Sequence, residues 1–187
     1  PKVTDARLAR LYLTWCHDTN GRARLLRLTL LHSVVMLGEP AISDRDEVTM
    51  AERRISAEVL ESFTAAVFEK VGLAPEDAAT EAHVLVWANL RGIDSHGVLR
   101  VPSYVASVER GGMNPRAQVR IERETPATLL IEADHAFGPV VTTFAMRQAI
   151  AKAAQMGVGW AVIRNTTHQG AMGYYALMAA AEGMAGL

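Results

Sequence analysis

The sequence predicts an α/β chain of the α+β kind. An N-terminal helical layer is followed by an incomplete mixed sheet with helices packed on it, and the arrangement is not a Rossmann fold. Three observations carry that prediction. Between Ser56 and Glu109, apolar residues recur at helical spacing in three successive stretches, ahead of any strand pattern. Beyond Gly111-Gly112 the periodicity changes, and strand-like and helix-like stretches follow in the order β-β-α-β-α. No GxGxxG or P-loop pattern occurs, so a nucleotide fold built on those turns has no support.

Each element has a local reason. Ser56 is a good N-cap, with Ile55 and Leu60 at the hydrophobic-staple positions around it. Val59, Leu60, Phe63, Val67, Phe68 and Val71 keep helical spacing until Gly72 stops the run. Pro75 opens a second helix with Glu76 and Asp77 in its first turn, where the helix dipole favours acids, and Gly92 ends it after Leu90. A third helix is predicted over much of Val98–Glu109, with Pro102 in its first turn. Gln118–Arg123 alternates, with Val119 and Ile121 facing one way, and Thr125-Pro126 turns the chain into a second strand over Thr128–Ala133. Pro139–Met156 reads as a helix closed by Gly157, Val158–Arg164 as a short strand, Asn165–Gly170 as a polar loop and Ala171–Glu182 as a helix.

Composition bounds the function. Half of the 187 residues are apolar and 21% are charged, which supplies a packed core for one domain, or for one domain and a fragment. Nineteen basic residues against twenty acidic ones give a net charge of −1, which argues against nucleic acid as a partner. A single cysteine, Cys16, excludes an internal disulfide framework and a multi-cysteine metal site. No apolar run reaches the ~18 residues of a membrane span, so no membrane partner is expected.

Both ends look interrupted. The chain begins at Pro1, and residues 2–32 carry Lys2, Arg7, Arg10, Arg22, Arg24 and Arg27 against only Asp5 and Asp18. Leu25–Leu37 is apolar but broken by Arg27, His32 and Ser33. It has the basic flanks of a signal-peptide core, without an initiating methionine before it, and otherwise reads as a short buried or interfacial helix. Residues 1–49 are therefore expected to be a leader, upstream sequence read in frame ahead of a start at Met50. Residues 50–115 form the N-terminal helical segment, and residues 116–187 an α/β domain cut short just as Ala185-Gly186-Leu187 begins a strand.

Two polar islands carry chemistry. The first, Arg91–Arg100, lies between helices with Gly92 and Gly97 beside it, glycines that let a backbone approach a ligand. If the third helix begins near His96, then His96 and Arg100 share one face a turn apart. That pair suits a 2-oxo or 2-hydroxy acid: the arginine fork takes the carboxylate, the imidazole exchanges a proton with the adjacent oxygen, and Ser95 hydrogen-bonds the substrate or orients the ring. A structural explanation competes, in which Asp94 or Ser95 only caps a helix and Arg100 is a surface charge. The second island, Arg164–Gly170, follows a strand and precedes a helix, where free backbone N–H groups favour an anion; Thr167 or Asn165 as a plain helix cap is the alternative. His17, His32, His83 and His135 lack such surroundings, and His83 falls inside a helix as a structural residue. His96, His168 and Asp94 have the residue types of a facial triad, but no HxxxH or HxH spacing supports a metal, and none is expected.

The two islands resemble a known family. Arg91–Tyr104, RGIDSHGVLRVPSY, looks like the signature of the malate/L-lactate dehydrogenase family that lacks a Rossmann domain, whose relatives include ureidoglycolate, sulfolactate, diketogulonate and piperideine-2-carboxylate enzymes. Gly157–Tyr175, GVGWAVIRNTTHQGAMGYY, is similar to its second signature, and the likeness spans about residues 53–187. The resemblance implies a cytoplasmic, homodimeric oxidoreductase that interconverts 2-hydroxy and 2-oxo acids with NAD or NADP. It implies His96 as the proton donor or acceptor, with His168 a close second, Ser95 beside it and Arg100 on the substrate carboxylate. No cofactor-binding residues are carried over. Asp134–Gly138 departs from the family's Asn-Gly-rich turn. Since family chains run on well past this length, the competing expectation is a catalytically inactive truncated fragment that at most self-associates or binds a partner.

Overall fold

The computed structural model describes residues 55–187 and, before them, the strand residues 11–13, 16–17, 23–24 and 28–30. They fall into two units, Pro1–Ile55 and Ser56–Leu187. In the first, β1 (Leu11–Leu13) pairs antiparallel with β4 (Leu28–Leu30), and β2 (Cys16–His17) pairs antiparallel with β3 (Ala23–Arg24). Two expectations are corrected here. Strands precede the first helix, and Leu28–Leu30 is extended although Leu25–Leu37 reads as a short helix. An apolar run this short and broken cannot meet the cost of helix nucleation, and pairing with β1 satisfies its backbone instead. The remainder of residues 1–49, and Met50 with it, lies outside the described residues.

The second unit begins with two helices. In α1 (Ala57–Lys70) the Ser56 Oγ accepts the Val59 N–H at 3.3 Å, which caps the first turn. The buried stripe is Leu60, Thr64 and Phe68, spaced by four, while Phe63 is 65% exposed. Gly72, at φ +106°, reverses the chain into α2 (Pro75–Asn89). Ala78, Ala82, Val84, Leu85, Val86 and Ala88 are all buried, so α2 is enclosed on most of its circumference. His83 sits on its open side and bonds Glu61 of α1 at 3.1 Å.

The predicted third helix is divided. Asp94–His96 and Val98–Arg100 are single 3-10 turns separated by Gly97, and α3 proper is Val101–Glu109 with Pro102 in its first turn. His96 and Arg100 therefore do not share one α-helical face. The break falls at Gly97, whose backbone is extended and lies so close to the Asn89 side-chain amide that a Cβ there would overlap it.

A three-stranded sheet follows, β5 (Arg120–Glu124), β6 (Thr128–Glu132) and β7 (Trp160–Arg164), in the order β5-β6-β7. β5 and β6 are antiparallel across the Thr125-Pro126 turn, and β6 and β7 are parallel across the crossover helix α4 (Gly138–Met156), so the sheet is mixed, as predicted. Leu129, Ile131, Ala133, Val141 and Ala145 form the core between sheet and helix. Val119 and Ile121 face one way, as expected: Val119, just ahead of β5, packs on that core, and Ile121 pairs with the core residue Ile131, although it stays 37% exposed because β5 is an edge strand. The last helix, α5 (Gly173–Ala181), ends before Gly183 at φ +72°. Ala185–Leu187 forms no strand; Gly186, lacking a Cβ, lies directly on the backbone of Ala176.

Candidate active site

The first island is shaped by Asn89, the last residue of α2. Its buried side chain donates to Asp94 Oδ1 at 2.8 Å and accepts the Val98 N–H at 2.8 Å, clamping both 3-10 turns to the helix end. Asp94 is thereby engaged by the scaffold. Ser95 Oγ lies 2.9 Å from His96 Nδ1, and Arg100 Nε donates to the Ser95 carbonyl. That bond uses the inner nitrogen of the guanidinium; the two terminal nitrogens of Arg100 have no hydrogen bond or ion pair among the described residues.

The second island is anchored from below and behind. Glu132, at the end of β6 and 5% exposed, takes Arg164 Nε at 2.6 Å and Asn165 Nδ2 at 3.0 and 2.9 Å. These bonds and the Asp134 N–H hold its carboxyl down to about 2, with Asn165 the largest cause. Asn165 has φ +53°, which turns the chain sharply off the strand. Thr167 Oγ1 then donates to the Ala136 carbonyl at 2.9 Å and accepts the Gly138 N–H at 3.1 Å. A Cβ on Gly138 would overlap the His168 carbonyl oxygen, so the loop rests on the start of α4. Gln169 Nε2 reaches Thr142 Oγ1 at 3.0 Å, and the Tyr175 hydroxyl donates to the Gln169 carbonyl. Neither Thr167 nor Asn165 caps α5, which starts beyond the island at Gly173; the helix terminus that meets this loop is that of α4.

The two islands meet. The rings of His96 and His168 are 5.2 Å apart between centroids and inclined by 33°. Tyr104, on α3 and 4% exposed, places its hydroxyl 2.6 Å from His168 Nδ1, and the Gly170 N–H reaches the same nitrogen at 3.2 Å. Burial, then the Arg100 charge, then His96 hold His168 below its ordinary 6.5. Beside this pair lies a cavity of about 450 Å³ whose walls include Arg100, Tyr104, Arg110, His135, Thr166 and His168. Thr166 Oγ1 is buried there with no hydrogen-bond partner among the described residues. Ser95 and His96 are not part of the cavity wall; His96 adjoins it through its ring contact with His168. No group of three or more His, Cys, Asp or Glu side chains among the described residues is placed to hold a metal.

Residues 55–187 match the family model described as malate/L-lactate dehydrogenase. The chain belongs to the malate/L-lactate dehydrogenase family. Among curated members it is 46% identical over 134 residues to a malate dehydrogenase of Pyrococcus abyssi, covering 72% of this chain and 37% of that one. It is 41% identical over 121 residues to an L-sulfolactate dehydrogenase of Methanocaldococcus jannaschii, covering 65% and 35%. The structure of malate dehydrogenase from Pyrococcus horikoshii OT3 superposes with a TM-score of 0.68 at 44% identity, over 70% of this chain and 38% of that one. The chain thus spans little more than a third of the length of these malate/L-lactate dehydrogenase relatives.

Several residues of this candidate site escape a reading of the sequence. Asn89 looks like one more helical position, and its only signal is a polar side chain in an otherwise apolar helix end. Tyr104 sits inside the first motif without a role until His168 is seen beside it. His135, which lacks any suggestive neighbour in sequence, stands on the cavity wall because Asp134 and His135 adopt φ of +51° and +57° and turn the loop inward. Gly97 is needed for the approach of Asn89 and not of a ligand, which corrects the sequence argument for that glycine.

Proposed function

We propose that this chain carries the substrate-binding and proton-handling part of an oxidoreductase that interconverts a 2-hydroxy acid and a 2-oxo acid, of the malate or lactate type, with NAD or NADP. The observation that carries the reading is the pairing of His96 with His168 beside an arginine whose terminal nitrogens have no partner among the described residues. A planar guanidinium fork matches a carboxylate through two parallel hydrogen bonds. With the carboxylate held by Arg100, the neighbouring C2 oxygen falls to the imidazoles, which can share its developing charge and exchange its proton. His96 is the first choice for that proton and His168 the second, with Ser95 Oγ on His96 Nδ1 to fix the ring.

When bound, the nicotinamide supplies hydride in one direction and removes it in the other. Neither Gly97 nor Gly138 offers an open backbone to a phosphate. The side of Gly97 that lacks a Cβ is filled by Asn89, that of Gly138 by the His168 carbonyl, and the Gly138 N–H at the start of α4 is taken by Thr167. No contact in this chain is assigned to the dinucleotide. The family reading carries with it a cytoplasmic homodimer; no helix among the described residues is long and apolar enough to cross a membrane.

The test has two arms. Pyruvate or oxaloacetate titrated into the 187-residue chain should shift the ring resonances of His168, and Arg100→Lys should weaken that binding. The chain alone should not oxidise NADH or NADPH with any 2-oxo acid, whereas a chain extended to the relatives' full length should. Absence of turnover by the extended chain across lactate-, malate- and sulfolactate-type substrates would sink the reading.

A further inference from the structure

We infer that Tyr104 is a positioning residue that, together with the Gly170 N–H, holds His168 in the tautomer with its proton on Nε2, so that His168 offers the substrate a neutral N–H and leaves the proton transfer to His96. The inference rests on the reading above for what His168 does, but its physical basis is independent of it. Nδ1 of His168 has two neighbours, the Tyr104 hydroxyl at 2.6 Å and the Gly170 N–H at 3.2 Å. A hydroxyl can donate or accept, but a backbone amide can only donate. The amide therefore requires a lone pair on Nδ1, and a proton there would point at the amide hydrogen. The hydroxyl, free to rotate, must then donate as well. In a neutral imidazole the remaining proton is on Nε2.

The surroundings favour this arrangement. Tyr104 is buried against Phe68 and Phe137, with ring centroids at 6.5 and 6.3 Å, so its ring cannot swing away from His168. Burial, then Glu81, raise its hydroxyl above the ordinary 10.0 against the opposing Arg100 charge, so it stays a donor. Burial first, then the Arg100 charge and the neighbouring His96, disfavour a second proton on the ring. With Nδ1 occupied by two donors, His168 cannot collect a proton there, and Nε2 already holds one. In reduction it donates a hydrogen bond to the C2 oxygen and keeps its proton; the proton that ends on the new hydroxyl leaves His96, which goes from imidazolium to imidazole. Ser95 on His96 Nδ1 leaves the other nitrogen of that ring free for the exchange.

The experiment reads the ring directly, by two-bond ¹H–¹⁵N correlations of ¹⁵N-labelled 187-residue chain. His168 should show a single tautomer, with Nε2 protonated and Nδ1 carrying the lone pair. In Tyr104→Phe, where the Gly170 N–H alone remains on Nδ1, the Nδ1–H form should rise from undetected to a detectable minority. Replacing Tyr104 by a fluorotyrosine, a stronger donor of nearly the same shape, should move the Nδ1 resonance further toward a hydrogen-bonded position; this arm decides the matter if the phenylalanine variant does not fold. A proton found on Nδ1 of the wild-type chain, or a tautomer ratio and Nδ1 resonance untouched by either replacement, overturns the inference. Failure to bind or reduce any 2-oxo acid would instead remove the functional reading and leave the tautomer result standing.

Discussion

On the function proposed above, Arg100 would bind the carboxylate, His96 would move the proton and Asn89 only supports the fold, so their substitutions should separate accordingly. Arg100→Lys replaces a planar fork with a point charge, so in an active full-length enzyme it should mainly raise KM. His96→Ala should mainly lower kcat, by about 10²–10⁴, the usual cost of losing a proton-transfer group, with folding intact. If kcat stayed within about threefold for His96→Ala while His168→Ala abolished it, His168 would be the acid/base. Asn89→Ala should act on stability. It removes two hydrogen bonds and leaves the buried Val98 N–H unpaired, which should cost about 1–3 kcal/mol in chemical denaturation. An Asn89→Ala chain as stable as the parent would show that the clamp contributes nothing.

At the scale of elements, the second histidine is placed by the start of one helix and the end of one strand. Gly138→Ala drives a Cβ into the His168 carbonyl, and neither group is the far end of a flexible side chain that can move aside. The loop must lift off α4, so the variant should lose the Tyr104–His168 pairing, read as a changed His168 ring signal, with a fall in kcat larger than its loss of stability. An unchanged His168 environment would refute the docking argument. At the other end, Glu132 joins β6 to Arg164 and Asn165 beyond β7. Its carboxyl is held down to about 2 from an ordinary 4.5, so its contribution is complete above 4.5 and is lost as the pH falls toward about 2. Acid unfolding should therefore steepen below pH 4.5, and Glu132→Gln should flatten that limb. An unaltered acid limb in Glu132→Gln would contradict it.

Over the whole second unit, stability has an alkaline counterpart to that acid limb. Glu81 lies fully buried in α2 with neither carboxylate oxygen hydrogen-bonded among the described residues. Burial pushes its carboxyl well above 4.5, so the folded chain holds this proton while the unfolded chain releases it. The group's stabilisation is full below 4.5 and declines as the pH rises through its folded value. Glu81→Gln, which keeps the shape and cannot ionise, should raise the thermal midpoint near neutral pH and remove that decline. A variant less stable than the parent at neutral pH would show that the carboxylate is ionised and satisfied. His168 acts on the acid side: held below 6.5, it resists a proton that the unfolded chain accepts, so stability falls as the pH drops below 6.5.

Local pattern determined much of this chain. The Ser56 cap, Pro75 with its acidic first turn, the glycines that close helices and the change of period after Gly112 specify where α1, α2, α4 and the sheet lie, because each signal acts within a few residues. The two histidine motifs and the family they resemble were legible for the same reason, being contiguous. Local pattern did not foretell the 3-10 break at Gly97, which lies against the Asn89 amide, nor the strand at Leu28–Leu30, because its partner is Leu11–Leu13. Only the tertiary structure decided that His96 and His168 lie ring to ring, that Tyr104 meets His168 across 64 positions, and that Gly138 and Glu132 carry the loop between them. Hydrophobic period and capping report on neighbours three or four residues away. The contacts that make the site join elements far apart in sequence, and packing of the α2, α3 and α4 surfaces brings them together.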